Sequence, residues 1–184
     1  MARFARISFL LAIMGLLLFP ISGIESVAEG LSPFRLSGDG KIRMVDLFTG
    51  ENLNIIYRNA DGIYEDSALA AMEHTLRCHG KSENYPISLK LIELIDHLQD
   101  HFGAEEIQIV SGYRSPEYNS KLSLYSSRVA HNSLHMKGLA VDIRLPGVSK
   151  YALGSYAASL KSGGVGVYAD SDFVHIDVGP IRRW

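Results

Sequence analysis

Apolar positions recur along this chain with two different periods. From Ser88 to Phe102, residues Leu91, Ile92, Ile95, Leu98 and Phe102 fall at helical spacing, so they predict an amphipathic helix that Gly103 ends. Further helices are predicted over Asp66 to Cys78, over Pro116 to Leu124 with the proline in the first turn, and over Lys150 to Leu160. Elsewhere the pattern alternates or runs in short apolar stretches. Phe34 to Leu36, Ile42 to Phe48 and Leu53 to Tyr57, broken by Gly38-Asp39-Gly40 and Thr49-Gly50-Glu51-Asn52, read as strands of a β-meander. Ile107 to Val110, Ala140 to Leu145, Val165 to Tyr168 and Phe173 to Val178 read as further strands, and Tyr125 to Asn132 as a polar loop. There is no internal repeat and no low-complexity tract.

The first 28 residues have a different composition. Arg3 and Arg6 precede an uncharged apolar stretch from Ile7 to Phe19, then Pro20 and the small-residue triplet Ser26-Val27-Ala28. This is the layout of a secretory signal, with cleavage expected after Ala28 and a single mature domain over residues 29–184. The stretch is short of the roughly 20 residues a membrane span needs. Only an uncleaved form would tie the chain to a membrane, as an N-terminal anchor. Losing Arg3, Arg6 and Glu25 leaves the mature domain mildly acidic, and the whole chain carries a formal net charge of -2. Nothing in that balance points to nucleic acid. With 47% hydrophobic residues there is enough apolar material for a core, and the lone Cys78 excludes an intramolecular disulfide.

The chemistry is concentrated in Ser133-Leu134-His135-Met136-Lys137-Gly138-Leu139-Ala140-Val141-Asp142 and in Phe173-Val174-His175-Ile176-Asp177. His135, Asp142 and His175 supply two imidazoles and a carboxylate, which fill three corners of a zinc tetrahedron and leave the fourth for water, the composition of a catalytic site. On a strand, Ala140, Asp142 and Arg144 share one face and Val141 and Ile143 the other. His175 and Asp177 likewise share a face with Phe173. Asp177 therefore stands where a carboxylate can take the spare N–H of a ligand imidazole, and Gly138 permits a tight return of the chain at His135.

Other histidines are weighed against this trio. His131 and His135 are four apart, but Asn132 occupies the place of the glutamate in an H-E-x-x-H zinc motif. His97 and His101 repeat the spacing around Leu98, which belongs to the apolar stripe, so a solvated histidine face is expected there, as at His74 and His79. Cys78 and His79 are neighbours on a predicted helix and diverge, so Cys78 is expected to be inert and buried.

The motif Ser133-x-His135-x-x-Gly138-x-Ala140-x-Asp142 resembles that of the LAS zinc peptidases, the superfamily of lysostaphin-type enzymes, D-Ala-D-Ala metallopeptidases and the hedgehog domain. The ending Phe173-Val174-His175-Ile176-Asp177-Val178-Gly179-Pro180-Ile181-Arg182-Arg183-Trp184 is similar to that of MepK-like murein endopeptidases. Ile109-Val110-Ser111-Gly112-Tyr113-Arg114-Ser115-Pro116 resembles the segment that carries a substrate-binding arginine.

The resemblance spans about Arg35 to Trp184 and implies an α+β fold with a central antiparallel sheet and Zn2+ on His135, Asp142 and His175. It implies a periplasmic hydrolase of peptidoglycan cross-link peptides, cutting D-Ala to meso-diaminopimelate or diaminopimelate to diaminopimelate. Arg114 is then a substrate ligand, with Ser133 a second candidate. Related D-Ala-D-Ala metallopeptidases carry a glutamate base three residues before the last histidine, where this chain has Asp172. His131 is the rival for that role. The alternative function is a zinc-containing wall-binding or signalling module without turnover, against which Arg114, Ser133 and Asp172 argue.

Overall fold

The alternating segments Lys41–Asp46 (β1) and Asn52–Ile56 (β2) pair antiparallel as a hairpin in a computed structural model that describes residues 34–184. The predicted secretory segment lies outside the described residues. Helices Asp66–Thr75 (α1) and Leu89–Phe102 (α2) follow, then strand Ile107–Ser111 (β3) and helix Pro116–Tyr125 (α3). The C-terminal half contains strand Ala140–Arg144 (β4), helix Lys150–Ser159 (α4), and strands Gly164–Val167 (β5), Val174–Asp177 (β6) and Arg182–Arg183 (β7). All seven strands form one sheet in the order β2-β1-β3-β4-β6-β5-β7.

This is the α+β class. The middle of the sheet, β3-β4-β6-β5, is antiparallel, while β1 with β3 and β5 with β7 pair in parallel, so the sheet as a whole is mixed. The two helices between β2 and β3 provide the crossover that a parallel return needs.

The apolar stripe of α2 behaves as its period predicts. Leu91, Ile92, Ile95 and Leu98 are buried with Ile42, Met44, Ile107, Ile109, Val141 and Ile143 in one core. Gly103 caps the helix in the left-handed conformation. The same helix also buries Glu93 and Asp96, because both tie down the hairpin. Arg58 Nε donates to Glu93 at 2.7 Å, Tyr64 Oη donates to the same carboxylate at 2.8 Å, and Tyr57 Oη donates to Asp96 at 2.7 Å. A hydrophobic period cannot reveal such pairs, since their partners lie far away in the chain.

Several local expectations are corrected. Phe34 to Leu36 is a bend rather than a strand. Three residues are too few to signal a ladder, and this stretch is held by Leu36 against the core and by Arg35 donating to Leu160 O at 2.8 Å. The meander is therefore a two-strand hairpin, and α1 stops at Thr75 instead of Cys78.

Two histidines, His97 and His79, are less solvated than expected, while His101 and His74 are exposed. His97 lies between Ser37 O and Tyr156 Oη, and His101 stacks on Tyr156 with centroids 3.5 Å apart, so both join α2 to α4. His79 contacts Asp46 at 2.8 Å and stacks on Phe48. His74 stays largely exposed beside Glu51. Cys78 is fully buried, and its Sγ accepts the Ser115 N–H.

Candidate metal centre

The register of the sheet centre brings the candidate site together. In the antiparallel β4–β6 pair, Asp142 lies directly opposite His175 and Ala140 opposite Asp177, which puts the two acids and the imidazole on one face. The third group comes from a 3₁₀ turn, Leu134–Lys137, which the sequence pattern did not predict. Ser133 Oγ caps it by accepting the His135 N–H at 3.3 Å, and Gly138 closes it at φ +63. A Cβ at Gly138 would lie 2.1 Å from Pro86 O, so only glycine allows this return of the chain.

The contacting atoms are specific. His135 Nε2 lies 3.1 Å from His175 Nδ1 and 3.2 Å from Asp142 Oδ1, and His175 Nδ1 lies 2.9 Å from that same oxygen. Three donors at zinc bond lengths of about 2.0–2.1 Å and tetrahedral angles stand about 3.3 Å apart, so this set fits the ion. The outer nitrogens are engaged as well. His135 Nδ1 reaches Gly112 O at 2.8 Å, and His175 Nε2 reaches Asp177 Oδ2 at 3.2 Å. A carbonyl and a carboxylate can only accept here, so each outer nitrogen carries the proton. His135 thereby presents Nε2, and His175 presents Nδ1, toward Asp142.

Electrostatics follow from burial and partners. Burial, assisted by Arg114, holds His135 below the ordinary histidine value against the pull of Asp142. Burial lowers His175 too, but its hydrogen bonds to Asp142 and Asp177 outweigh that and hold it high. Burial opposes ionisation of Asp142, yet His135, His175 and Arg114 together hold its carboxyl well below the usual carboxylate range. A metal held between these groups would compete with a proton on His175 Nδ1, so its affinity should fall in acid.

Arg114 follows β3 and is mostly buried. Its Nε donates to Ser111 Oγ at 2.8 Å and its Nη2 to Asp142 Oδ2, the oxygen not facing the histidines. Beside it opens a cleft of about 330 Å³, walled by Arg114, Ser133, Tyr168, Phe173, Arg182 and Trp184.

Asp172 and His131 do not reach this cleft. Asp172 sits in the turn before β6, largely exposed and paired with Arg144. It precedes the strand, and its carboxylate is taken up by Arg144 at the end of β4 instead of reaching the cleft. His131 is exposed in the loop before Ser133 and lies outside the cleft wall. Among the described residues lining the cleft, Asp142 is the only carboxylate.

The sequence reading missed the far wall. Arg182 and Trp184 come from the two-residue strand β7 and its end, too short to show a period, although both stand in the ending quoted above. Trp184 Nε1 donates to Tyr168 Oη at 2.7 Å, and its ring lies 5.4 Å from that of His175. Across the mouth, Arg128 pairs with Asp170 at 2.6 Å and lies 5.5 Å over the Tyr168 ring.

Comparison with known proteins bears on the same region. A family model described as peptidoglycan L,D-endopeptidase MepK matches residues 37–184. The chain is similar to a probable peptidoglycan L,D-endopeptidase MepK of Haemophilus influenzae, 35% identical over 138 residues and 74% of each chain. It is similar as well to the peptidoglycan L,D-endopeptidase MepK of Escherichia coli K12, 36% identical over 140 residues and 76% of each chain.

Proposed function

Because this chain belongs to the peptidoglycan L,D-endopeptidase MepK family and is a peptidase, we propose that it hydrolyses peptide cross-links of peptidoglycan with Zn2+ held by His135, Asp142 and His175. The observation that carries this reading is the convergence of one carboxylate oxygen and two imidazole nitrogens beside an open cleft, each imidazole fixed by a hydrogen bond on its other nitrogen. The naming of the relatives as L,D-endopeptidases favours a diaminopimelate–diaminopimelate link, which joins an L centre to a D centre, over D-Ala–diaminopimelate, which joins two D centres. Export through Met1 to Ala28 would deliver the domain to the periplasm, where that substrate lies.

Bound zinc would polarise the scissile carbonyl and bring the pKa of a water toward about 7. The protein's own part is to orient and to exclude. Gly112 O and Asp177 hold the two imidazoles in the required tautomers, and Arg114 holds Asp142 by Oδ2 so that Oδ1 faces them. A guanidinium has five N–H donors. Those of Arg114 not given to Ser111 and Asp142 can take a carbonyl or carboxylate of the peptide. Phe173 and Trp184 line the cleft with apolar surface that displaces water from the bond to be cut.

Mass spectrometry of cross-linked muropeptides incubated with the mature protein tests the proposal. Monomeric products should form, cease with a chelator and return with zinc, and be absent for His135→Ala. Zinc retained at full occupancy without any product would favour the wall-binding module instead.

A further inference from the structure

Asp177 is wholly buried, and all of its accepting capacity is used. Oδ1 takes the N–H of Gly164 at 2.8 Å and of Gly179 at 2.9 Å, while Oδ2 takes His175 Nε2 at 3.2 Å and Arg182 Nη2 at 2.6 Å. A Cβ at Gly164 would lie 2.4 Å from Oδ2, so the carboxylate is packed flat on bare backbone with no room to turn away. The guanidinium reaches it by strand register. In the parallel β5–β7 ladder, Arg182 pairs with Gly164, the residue whose N–H fixes the other oxygen of the same carboxylate. Trp184 anchors the end of that strand: its N–H donates to Val165 O at 3.2 Å, its carbonyl accepts the Val167 N–H at 3.0 Å, and Arg182 lies 5.0 Å over its ring.

We propose that Arg182 is a positioning residue for the metal centre: it clamps Asp177 Oδ2 against His175 Nε2 and so fixes Nδ1 as the nitrogen His175 turns toward Asp142 and the ion. This rests on the zinc reading above. Two backbone N–H groups alone would hold Oδ1 and leave Oδ2 with only the imidazole it is meant to orient. The permanent charge of arginine supplies the opposing pull, and its planar fork lets it meet the carboxylate while stacking on an indole, which an ammonium does less well. The short tail after β6 thus belongs to the site, although it touches none of the three ligand atoms.

The test measures zinc affinity by chelator competition in the full mature chain for wild type, Arg182→Met and Arg182→Lys. It is combined with ¹⁵N NMR of His175 in the zinc-loaded proteins and with muropeptide kinetics at limiting and saturating zinc. Arg182→Met should bind zinc about 10-fold more weakly, at the lower end of the range for partners of ligand histidines, and lose the Nε2–H signature of His175. Saturating zinc should restore most of its turnover, and Arg182→Lys should fall between it and wild type. Wild-type affinity and an unchanged His175 spectrum in Arg182→Met overturn the proposal, and a rise in KM alone would make Arg182 a substrate contact instead. Should Arg182→Met fail to fold, Arg182→Lys decides: weakened zinc binding supports the clamp, and wild-type binding refutes it. A wild-type protein that binds no zinc defeats the underlying reading of the site, an outcome distinct from wild type and variants binding alike.

Discussion

Each oxygen of Asp142 has its own task. Oδ1 faces the two histidines and Oδ2 meets Arg114, so the guanidinium that lines the cleft also sets the pose of Asp142. Arg114→Lys keeps the charge but loses the fork that spans Ser111 and Asp142. Turnover should fall about 10- to 100-fold, the equivalent of a lost charge-assisted hydrogen bond of about 1.5–3 kcal/mol, and zinc affinity should fall with it. Steady-state kinetics and chelator competition on one preparation check both; an unchanged zinc affinity would show that Asp142 keeps its pose without Arg114. Asp172 behaves differently. An exposed pair such as Asp172 with Arg144 contributes about 1 kcal/mol at most, so Asp172→Asn should leave zinc content and turnover near wild type. A loss of 100-fold or more would be the mark of a general base, and would mean that the turn of residues 169–172 moves into the cleft when substrate binds.

Helix α2 carries both the core stripe and the acids that hold the β1–β2 hairpin. Burial pushes Asp96 up to about 7, although the Tyr57 hydroxyl and the Gly40 N–H pull the other way. A folded value above the ordinary 3.8 means that the unfolded chain releases this proton first. The contribution of Asp96 to stability is therefore complete below about pH 4 and is lost as pH rises through about 7. Asp96→Asn keeps an acceptor for Tyr57 and Gly40 but cannot ionise. Between pH 5 and pH 8, wild type should lose stability relative to this variant by an amount on the order of a few kcal/mol. Parallel thermal melts at the two pH values read the difference; melting temperatures that move together would show that Asp96 is not the group that titrates.

At the scale of the molecule, one mixed sheet lets segments far apart in sequence meet at a point. Residues β3 to β7 build the cleft, and the hairpin end of the sheet supports them through α2. Among the described residues no helix is long and apolar enough to cross a membrane. Export with cleavage after Ala28 predicts that N-terminal sequencing of protein recovered from the cell envelope begins at Glu29. An intact Met1 form in the membrane fraction would make this an anchored enzyme.

The sequence by itself determined the elements whose signal is local. The 3.6-residue period of α2, the alternation in β4 and β6, and the three residues His135, Asp142 and His175 could all be read without coordinates, because side-chain period reports which face is buried and a strand displays its polar residues on one side. The tertiary structure alone decided which atoms meet. It chose Nε2 of His135 and Nδ1 of His175 through acceptors at Gly112 and Asp177, left Asp172 on the surface, turned His79 and His97 inward, and laid Arg182 on Asp177. A two-residue strand has no period to read, and a hydrogen-bond partner 20 or more residues away leaves no mark on local pattern: Arg58 with Glu93 and His135 with His175 are separated by 35 and 40 residues. Hydrophobic order is written along the chain, whereas polar pairing depends on distances that exist only once the sheet has closed.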